Sequence, residues 1–217
     1  MTNVEQQLSI LKLAICPGCF ETGCLMIDAT KELKEFYNYV WGEESPTNKP
    51  TFVYLPIEHE SKWTPYMFEW PRQREGVIRH TLKWSAIKAN VFYSPALFKA
   101  ANPAKENVLG SWMLWVDFDG NAPKEWAQEA EEGKIFIPPP TLIIQSSIEG
   151  HEHCYWKLDH FLLDIEELED KNRALAYVMH ADTSGWDADQ ILRPIRTTNH
   201  KRNMPVIVKE WEREEPL

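Results

Sequence analysis

The chain has 217 residues, 43% of them hydrophobic and 26% charged, which is enough to bury one substantial core or one core and a small lobe. A formal net charge of −10 excludes a surface that is a nucleic-acid platform throughout, because phosphate binding needs clustered Lys and Arg; any such contact is expected to be local. No stretch approaches the roughly 20 apolar residues of a membrane span and no basic-then-apolar leader opens the chain, so the sequence reads as cytoplasmic, with no membrane partner.

In chain order, Leu8, Leu11 and Ile15 at helical spacing predict a first helix over 4–14, and a second is expected from Thr30 to Trp41 after the Cys-Pro-Gly-Cys break. Cys16, Cys19 and Cys24 would supply three of the four ligands of a structural zinc, with His59 or His80 as the fourth. A tight turn with buried thiols is the favoured reading. Thr51–Leu55 reads as a short strand closed by Pro56, a Pro- and Trp-rich stretch follows, and Ala89–Tyr93 reads as another strand. Ser94-Pro95-Ala96-Leu97-Phe98 has the look of a capped helical turn, with Ser94 as N-cap.

Trp112–Phe118 is a strongly apolar run ended by Asp119-Gly120, as expected of a buried strand that delivers side chains at its end. A short acidic helix is predicted over 123–132, strands over 141–145 and 154–158, a helix from about 165 to 180, and a last strand over 204–209. Of the ten tryptophans most are expected in the core and at its edges, and one left exposed would suit the stacking of a base.

Three segments carry chemistry. Asp117 and Asp119 are two apart on a strand, so both carboxylates point to one face, and their mutual repulsion is relieved by a cation between them. Their hard oxygens suit Mg²⁺ or Mn²⁺, with substrate phosphates completing the shell. Alone, an Asp-x-Asp serves equally well as a capped turn. The second segment, Gln145 to Trp156, is a hairpin with Ser146 and Ser147 at its turn and His151 and His153 leading out, suited to a triphosphate or to acid-base chemistry. The third runs from Gly185 to Lys201 and places Asp187 ahead of Arg193, Arg196, Asn199 and Lys201, an acid followed by a phosphate clamp.

In order and character these segments, with Asn90-Val-Phe-Tyr-Ser-Pro-Ala-Leu-Phe98 before them, resemble the archaeo-eukaryotic primase superfamily, especially its phage and plasmid primase-polymerases of the RepB-like primase type. The resemblance runs from Asn90 to Lys201, about half the chain. It implies an α/β (α+β) fold with an RRM-like antiparallel-sheet catalytic core over 89–217 and an N-terminal helical/αβ lobe over 1–88, the two expected to form one compact primase-polymerase unit. It implies template-directed nucleotidyl transfer with two Mg²⁺ or Mn²⁺ ions on Asp117, Asp119 and Asp187, with Asp182 or Asp189 as alternative third acids. His153, Ser146 or Ser147, Arg193, Asn199 and Lys201 would bind the nucleotide, with Arg196 a further cation; the ribose preference is not legible, and Tyr93 and Tyr155 are only candidates for an aromatic gate at the sugar. The partners implied are a single-stranded DNA template, an NTP or dNTP, and a helicase or C-terminal primer-binding module. The second motif is longer than the family's, and Pro194-Ile195-Arg196 stands where Pro-Gly is usual. Three rivals compete: a nicking replication initiator using His151, His153 and Tyr177, whose pattern Glu152 breaks; a non-catalytic nucleic-acid-binding module of the same fold; and a sugar-transferring enzyme using Asp-x-Asp for a nucleotide-sugar, which leaves His153 and the Arg193–Lys201 segment without roles.

Overall fold

The computed structural model describes residues 22–120, 122 and 137–212, with side chains from residue 28 onward. The expected first helix, the acidic helix over 123–132 and the cysteine cluster lie outside these residues or their described side chains.

The framework is an antiparallel sheet of seven strands, in the order β12-β8-β9-β7-β6-β1-β4. At its centre β7 (Val108–Asp119) pairs with β9 (His151–Leu162), both twelve residues long. β8 (Leu142–Gln145) and β12 (Ile207–Trp211) extend the sheet beyond β9. β6 (Leu97–Phe98), β1 (Thr51–Tyr54) and β4 (Met67–Trp70) extend it beyond β7. The predicted boundary at residue 88 therefore falls inside one hydrogen-bonded sheet. A second sheet joins β2 (Ile57–His59), β3 (Lys62–Thr64) and β5 (Asn90–Val91), and β10 (Thr198–Asn199) forms a small ribbon with β11 (Met204–Pro205).

Alternation along β7 and β9 sends residues to two differently covered faces. On one face Met113, Trp115 and Tyr155 meet Leu33, Phe36, Tyr37, Val40 and Trp41 of α1 (Thr22–Trp41) and Val77 and Ile78 of α2 (Arg74–Ala86). On the other, Val116, Phe118, Cys154 and Trp156 pack with Ala176 of α3 (Ile165–Val178). The first face is apolar until the last turn of β7, where Asp117 and Asp119 continue the series that began with Met113 and Trp115.

Two expectations fail locally. Residues 94–98 do not form a helical turn: Ser94 is buried, its carbonyl accepts the Trp41 indole N–H at 2.9 Å, and Leu97–Phe98 enter the sheet as β6. The Ser94 hydroxyl does accept a local backbone N–H, from Ala96 at 3.3 Å, but in a turn that feeds a strand. The second failure is α2, hidden because its buried stripe includes His80 and Thr81, which read as polar.

The sheet end beside Asp119 is closed by two glycine turns. Gly120, at φ 97°, donates its N–H to the Gly150 carbonyl at 3.0 Å, and Gly150 is at φ 84°. A Cβ on Gly150 would lie 2.9 Å from the Gly120 carbonyl oxygen. Gly150→Ala is thus expected to lose about 1–2 kcal/mol to the left-handed backbone, and more if Gly120 is displaced. A lowered urea midpoint at unchanged m-value checks this.

Candidate active site at the sheet end

Register fixes the first four groups. Asp117 pairs with His153 and Asp119 with His151 across β7 and β9, so two acids and two histidines alternate on one surface. His151 Nδ1 lies 2.7 Å from Asp119 Oδ1, at the exposed rim. His153 Nε2 lies 3.7 Å from Asp117 Oδ1, too long for a hydrogen bond, and its ring is buried with an unpartnered Nδ1.

The third acid is placed by backbone. Beyond α3 the chain lies along the free edge of β7: the Trp115 N–H donates to Asn172 Oδ1 at 3.0 Å, and the Asp182 N–H donates to the Asp117 carbonyl at 2.8 Å. The Trp115 indole donates to the Gly185 carbonyl at 3.1 Å, holding the next turn against the strand. Asp182 is thereby set beside Asp117, and its carboxylate accepts from the Ser184 N–H at 2.8 Å.

Asp187 is elsewhere. Its Oδ1 is 2.9 Å from Lys105 Nζ, and the same ammonium is 2.7 Å from Glu169. Asp189 acts on Tyr54 of β1. The structure thus brings Asp182, and neither Asp187 nor Asp189, to the acid pair. The spacing to Arg193 that favoured Asp187 is undone because Asp182 and Gly185 are bonded to β7, whereas Asp187 and Ala188 are drawn to Lys105 and Glu169 before Arg193 arrives.

Electrostatics mark the cluster. Burial is the largest influence on Asp117 and, with repulsion first from Asp182 and then from Asp119, raises its pKa to about 7, with Arg193 opposing. Burial and then the Arg193 charge lower the His153 pKa to about 3, so the imidazole is neutral.

Arg193 is delivered by the mutual backbone hydrogen bonds of Tyr93 and Leu192, at 2.9 and 2.8 Å. Its guanidinium carbon lies 4.5 Å from the centre of the Phe92 ring, and its Nε is buried without a partner. Asn199 is buried on β10 and donates to the Ser146 carbonyl at 3.3 Å, tying the basic segment to the hairpin; its Oδ1 is unpartnered. Ser146 and Ser147 are both buried, and the Ser146 hydroxyl donates to the His151 carbonyl at 3.3 Å. Lys201 is exposed on the β10–β11 turn.

Other expected members are absent from the cluster. Arg196 forms an ion pair with Glu32 of α1. Tyr93 and Tyr155 are fully buried with their hydroxyls joined at 2.6 Å, so neither faces a sugar. Glu152 points to the opposite face, where it pairs with Lys209 of β12, and Tyr177 stands exposed on α3. His200 escaped the sequence reading as a site residue: its ring carries a buried unpartnered Nε2, and its N–H donates to Asn90 Oδ1 at 2.9 Å. Its place next to Asn199 in the basic run was the available signal.

Among the described residues no three His, Cys, Asp or Glu side chains are already closed around one cation position. The donors present are nonetheless hard carboxylate oxygens that repel one another, beside unpartnered buried nitrogens. That donor set fits Mg²⁺ or Mn²⁺ completed by phosphate oxygens rather than a closed zinc site.

Solved structures share this architecture. The catalytic domain of primase RepB′ in complex with initiator DNA superposes with a TM-score of 0.57 at 16% identity, over 85% of this chain and 86% of that one. The chain has the fold of a primase catalytic domain. A second RepB′ primase structure matches this primase fold at TM-score 0.58 and 16% identity, and there the chain covers 85% of itself and 57% of the neighbour. The archaeo-eukaryotic primase domain of the cyanophage S-2L primase-polymerase matches at TM-score 0.58 and 10% identity, over 82% of this chain and 88% of that one. No protein-family model matches the sequence, and no curated protein matches it significantly. Among the described residues no helix is long and apolar enough to cross a membrane.

Proposed function

We propose that this primase-fold chain is a DNA primase-polymerase domain that transfers nucleotides to a growing strand on a single-stranded DNA template, taking NTP or dNTP as substrate. One observation carries the reading. At a single sheet end Asp117, Asp119 and Asp182 meet His153 and Arg193, each with a buried unpartnered nitrogen, and two more side chains with buried unpartnered atoms flank them, Asn199 on the Ser146 carbonyl of the hairpin and His200 within the field of Arg193. Buried polar atoms without partners cost about 1–3 kcal/mol each, and a triphosphate is a ligand that satisfies donors while its charge suits Arg193 and bound cations.

The roles follow from the geometry. Asp117, Asp119 and Asp182 would hold two Mg²⁺ or Mn²⁺ ions, which when bound supply Lewis-acid stabilisation of the attacking and leaving oxygens in phosphoryl transfer. Burial and the neighbouring acids raise the Asp117 pKa to about 7, a penalty on its charge that a bound cation would relieve. Neutral His153 serves as a hydrogen-bond donor to phosphate and not as a proton source, since its pKa is about 3. Arg193 provides a fixed positive charge, with its plane held by Phe92. Asn199 braces the Ser146–Ser147 turn against the basic segment, and Lys201 on the rim reaches for phosphate. A helicase or primer-binding module would complete the work of such a domain on a longer chain or a partner.

Incubation with primed and unprimed single-stranded DNA, Mg²⁺ or Mn²⁺, and labelled nucleotides is expected to give template-dependent incorporation; none under any of these conditions overturns the proposal. Arg193→Lys keeps the charge and loses the planar fork. It is expected to raise the KM for nucleotide about tenfold, the equivalent of about 1.4 kcal/mol, as steady-state primer extension would show.

A further inference from the structure

Beyond the acid cluster, the second sheet leaves one large aromatic in water. Trp63 on β3 is 54% exposed, although its partner across the strand pair, Glu58, is hydrogen-bonded and Phe92 beneath it is buried. The indole is tilted 32° to the Phe92 ring with centroids 5.0 Å apart, and Phe92 in turn lies under the Arg193 guanidinium at 4.5 Å. Trp63 and Arg193 thus both lie against the Phe92 ring, which links the exposed indole to the guanidinium that acts on Asp117.

An isolated exposed tryptophan needs no explanation. This one lies against a ring that also carries a site residue, and basic groups border it on a chain of net charge −10. Lys62 precedes it on β3, and the hydrogen bond from the His200 N–H to Asn90 Oδ1 sets the exposed Lys201–Arg202 turn against β5 of the same sheet. Glu58, the cross-strand partner of Trp63, is occupied by Asn90 Nδ2 at 3.1 Å, and the one carboxylate at the hairpin turn is Glu60.

We propose that Trp63 is a base-stacking residue for single-stranded DNA, and that the β2–β3 hairpin guides the strand toward Arg193 and the acids. The indole offers an apolar face that any base fits, and the lysines and arginine supply phosphate contacts, the combination that single-strand binding without sequence preference requires. The two centre-to-centre steps of 5.0 and 4.5 Å keep the indole and the guanidinium within about three nucleotide rises of roughly 3.4 Å. The orientation of the strand rests on the nucleotidyl-transfer reading; the binding itself does not.

The test is titration of the full chain with an end-labelled oligothymidylate by fluorescence anisotropy, for wild type, Trp63→Ala and Trp63→Phe, at several salt concentrations. Trp63→Ala is expected to raise the Kd roughly 5- to 100-fold with the salt slope kept, because stacking and not phosphate contact is lost. Trp63→Phe should hold most of the affinity while losing the share of tryptophan quenching that DNA produces in the wild type. Wild-type affinity in Trp63→Ala, or undiminished quenching in Trp63→Phe, overturns the proposal, as does an alanine effect on nucleotide affinity alone. Should the alanine variant not fold, the phenylalanine variant's quenching decides. A chain that binds DNA through Trp63 but incorporates no nucleotide refutes the transferase reading only; incorporation with Trp63→Ala binding unchanged refutes this one only.

Discussion

Asp182→Ala is expected to reduce nucleotide incorporation by about a thousandfold or more, while Asp187→Ala stays within about threefold of wild type. The first figure follows from losing a cation ligand, worth several kcal/mol of transition-state stabilisation, at about 1.4 kcal/mol per tenfold. Asp182 sits against Asp117 because its N–H donates to the Asp117 carbonyl, and its charge is the largest electrostatic influence on that carboxyl. Asp187 is already satisfied by Lys105, which keeps Glu169 when Asp187 is removed, and a surface ion pair of this kind is worth about 0–1 kcal/mol. Single-turnover primer extension with both variants checks the pair, alongside circular dichroism to show that each is folded. Equal losses in the two, or a loss in Asp187→Ala alone, would return the third ligand to the downstream acid.

Asp117→Asn should abolish incorporation and yet make the cation-free protein more stable above neutral pH. Burial and the neighbouring acids raise the Asp117 pKa from 3.8 to about 7, so between these values the folded chain binds a proton that the unfolded chain has released. The stability that this proton contributes is complete below about pH 4 and is lost as the pH rises through 7. With the side chain 27% exposed, water moderates the loss to on the order of 1–3 kcal/mol at pH 8. Asparagine removes the charge and so removes the penalty. Since each kcal/mol shifts the midpoint of a domain this size by about 2–4 °C, thermal melts in chelator at pH 8 should place Asp117→Asn several degrees above wild type, with the gap closing toward pH 4. Mn²⁺ should raise the wild-type midpoint at pH 8 and leave the variant nearly unmoved. A variant no more stable than wild type at pH 8 would contradict the raised pKa, and an unreduced Mn²⁺ response would remove Asp117 from the cation site.

How far the sequence carried this picture depends on where the information lies. Asp117 and Asp119 were legible because both the strand period and the apolar run ending in Asp119-Gly120 are local patterns. His153 was legible for the same reason, since β9 keeps it on the face shared with Tyr155. Asp182 was ambiguous because its position depends on a hydrogen bond to the edge of β7, a contact between residues 65 apart that no spacing encodes. Arg196 looked like part of the clamp and is instead tied to Glu32, on a helix whose docking the basic run cannot foretell. The helix over 74–86 was missed because side chains that count as polar, His80 and Thr81, are buried there, His80 reaching the Leu55 carbonyl at 3.2 Å and Thr81 bonding Tyr37 at 2.7 Å.

The clasp between Asp182 and Asp117 also divides the following loop into two kinds of chain. From Val178 to Asp182 the length is a ruler: α3 is anchored through Asn172 to Trp115 and the Asp182 amide is anchored to Asp117, so one inserted residue would displace the third carboxylate from its partners. After Gly185, fixed by the Trp115 indole, the chain is held by partners away from the acid cluster before Leu192 rejoins Tyr93: the Ala188 N–H donates to Glu169 Oε1 at 2.8 Å and Asp187 pairs with Lys105. A length change before Gly185 therefore moves the third carboxylate, whereas one after it moves Asp187, Ala188 and Arg193 and leaves Asp182 in place, so the third acid is better located by counting forward from the helix than backward from the arginine.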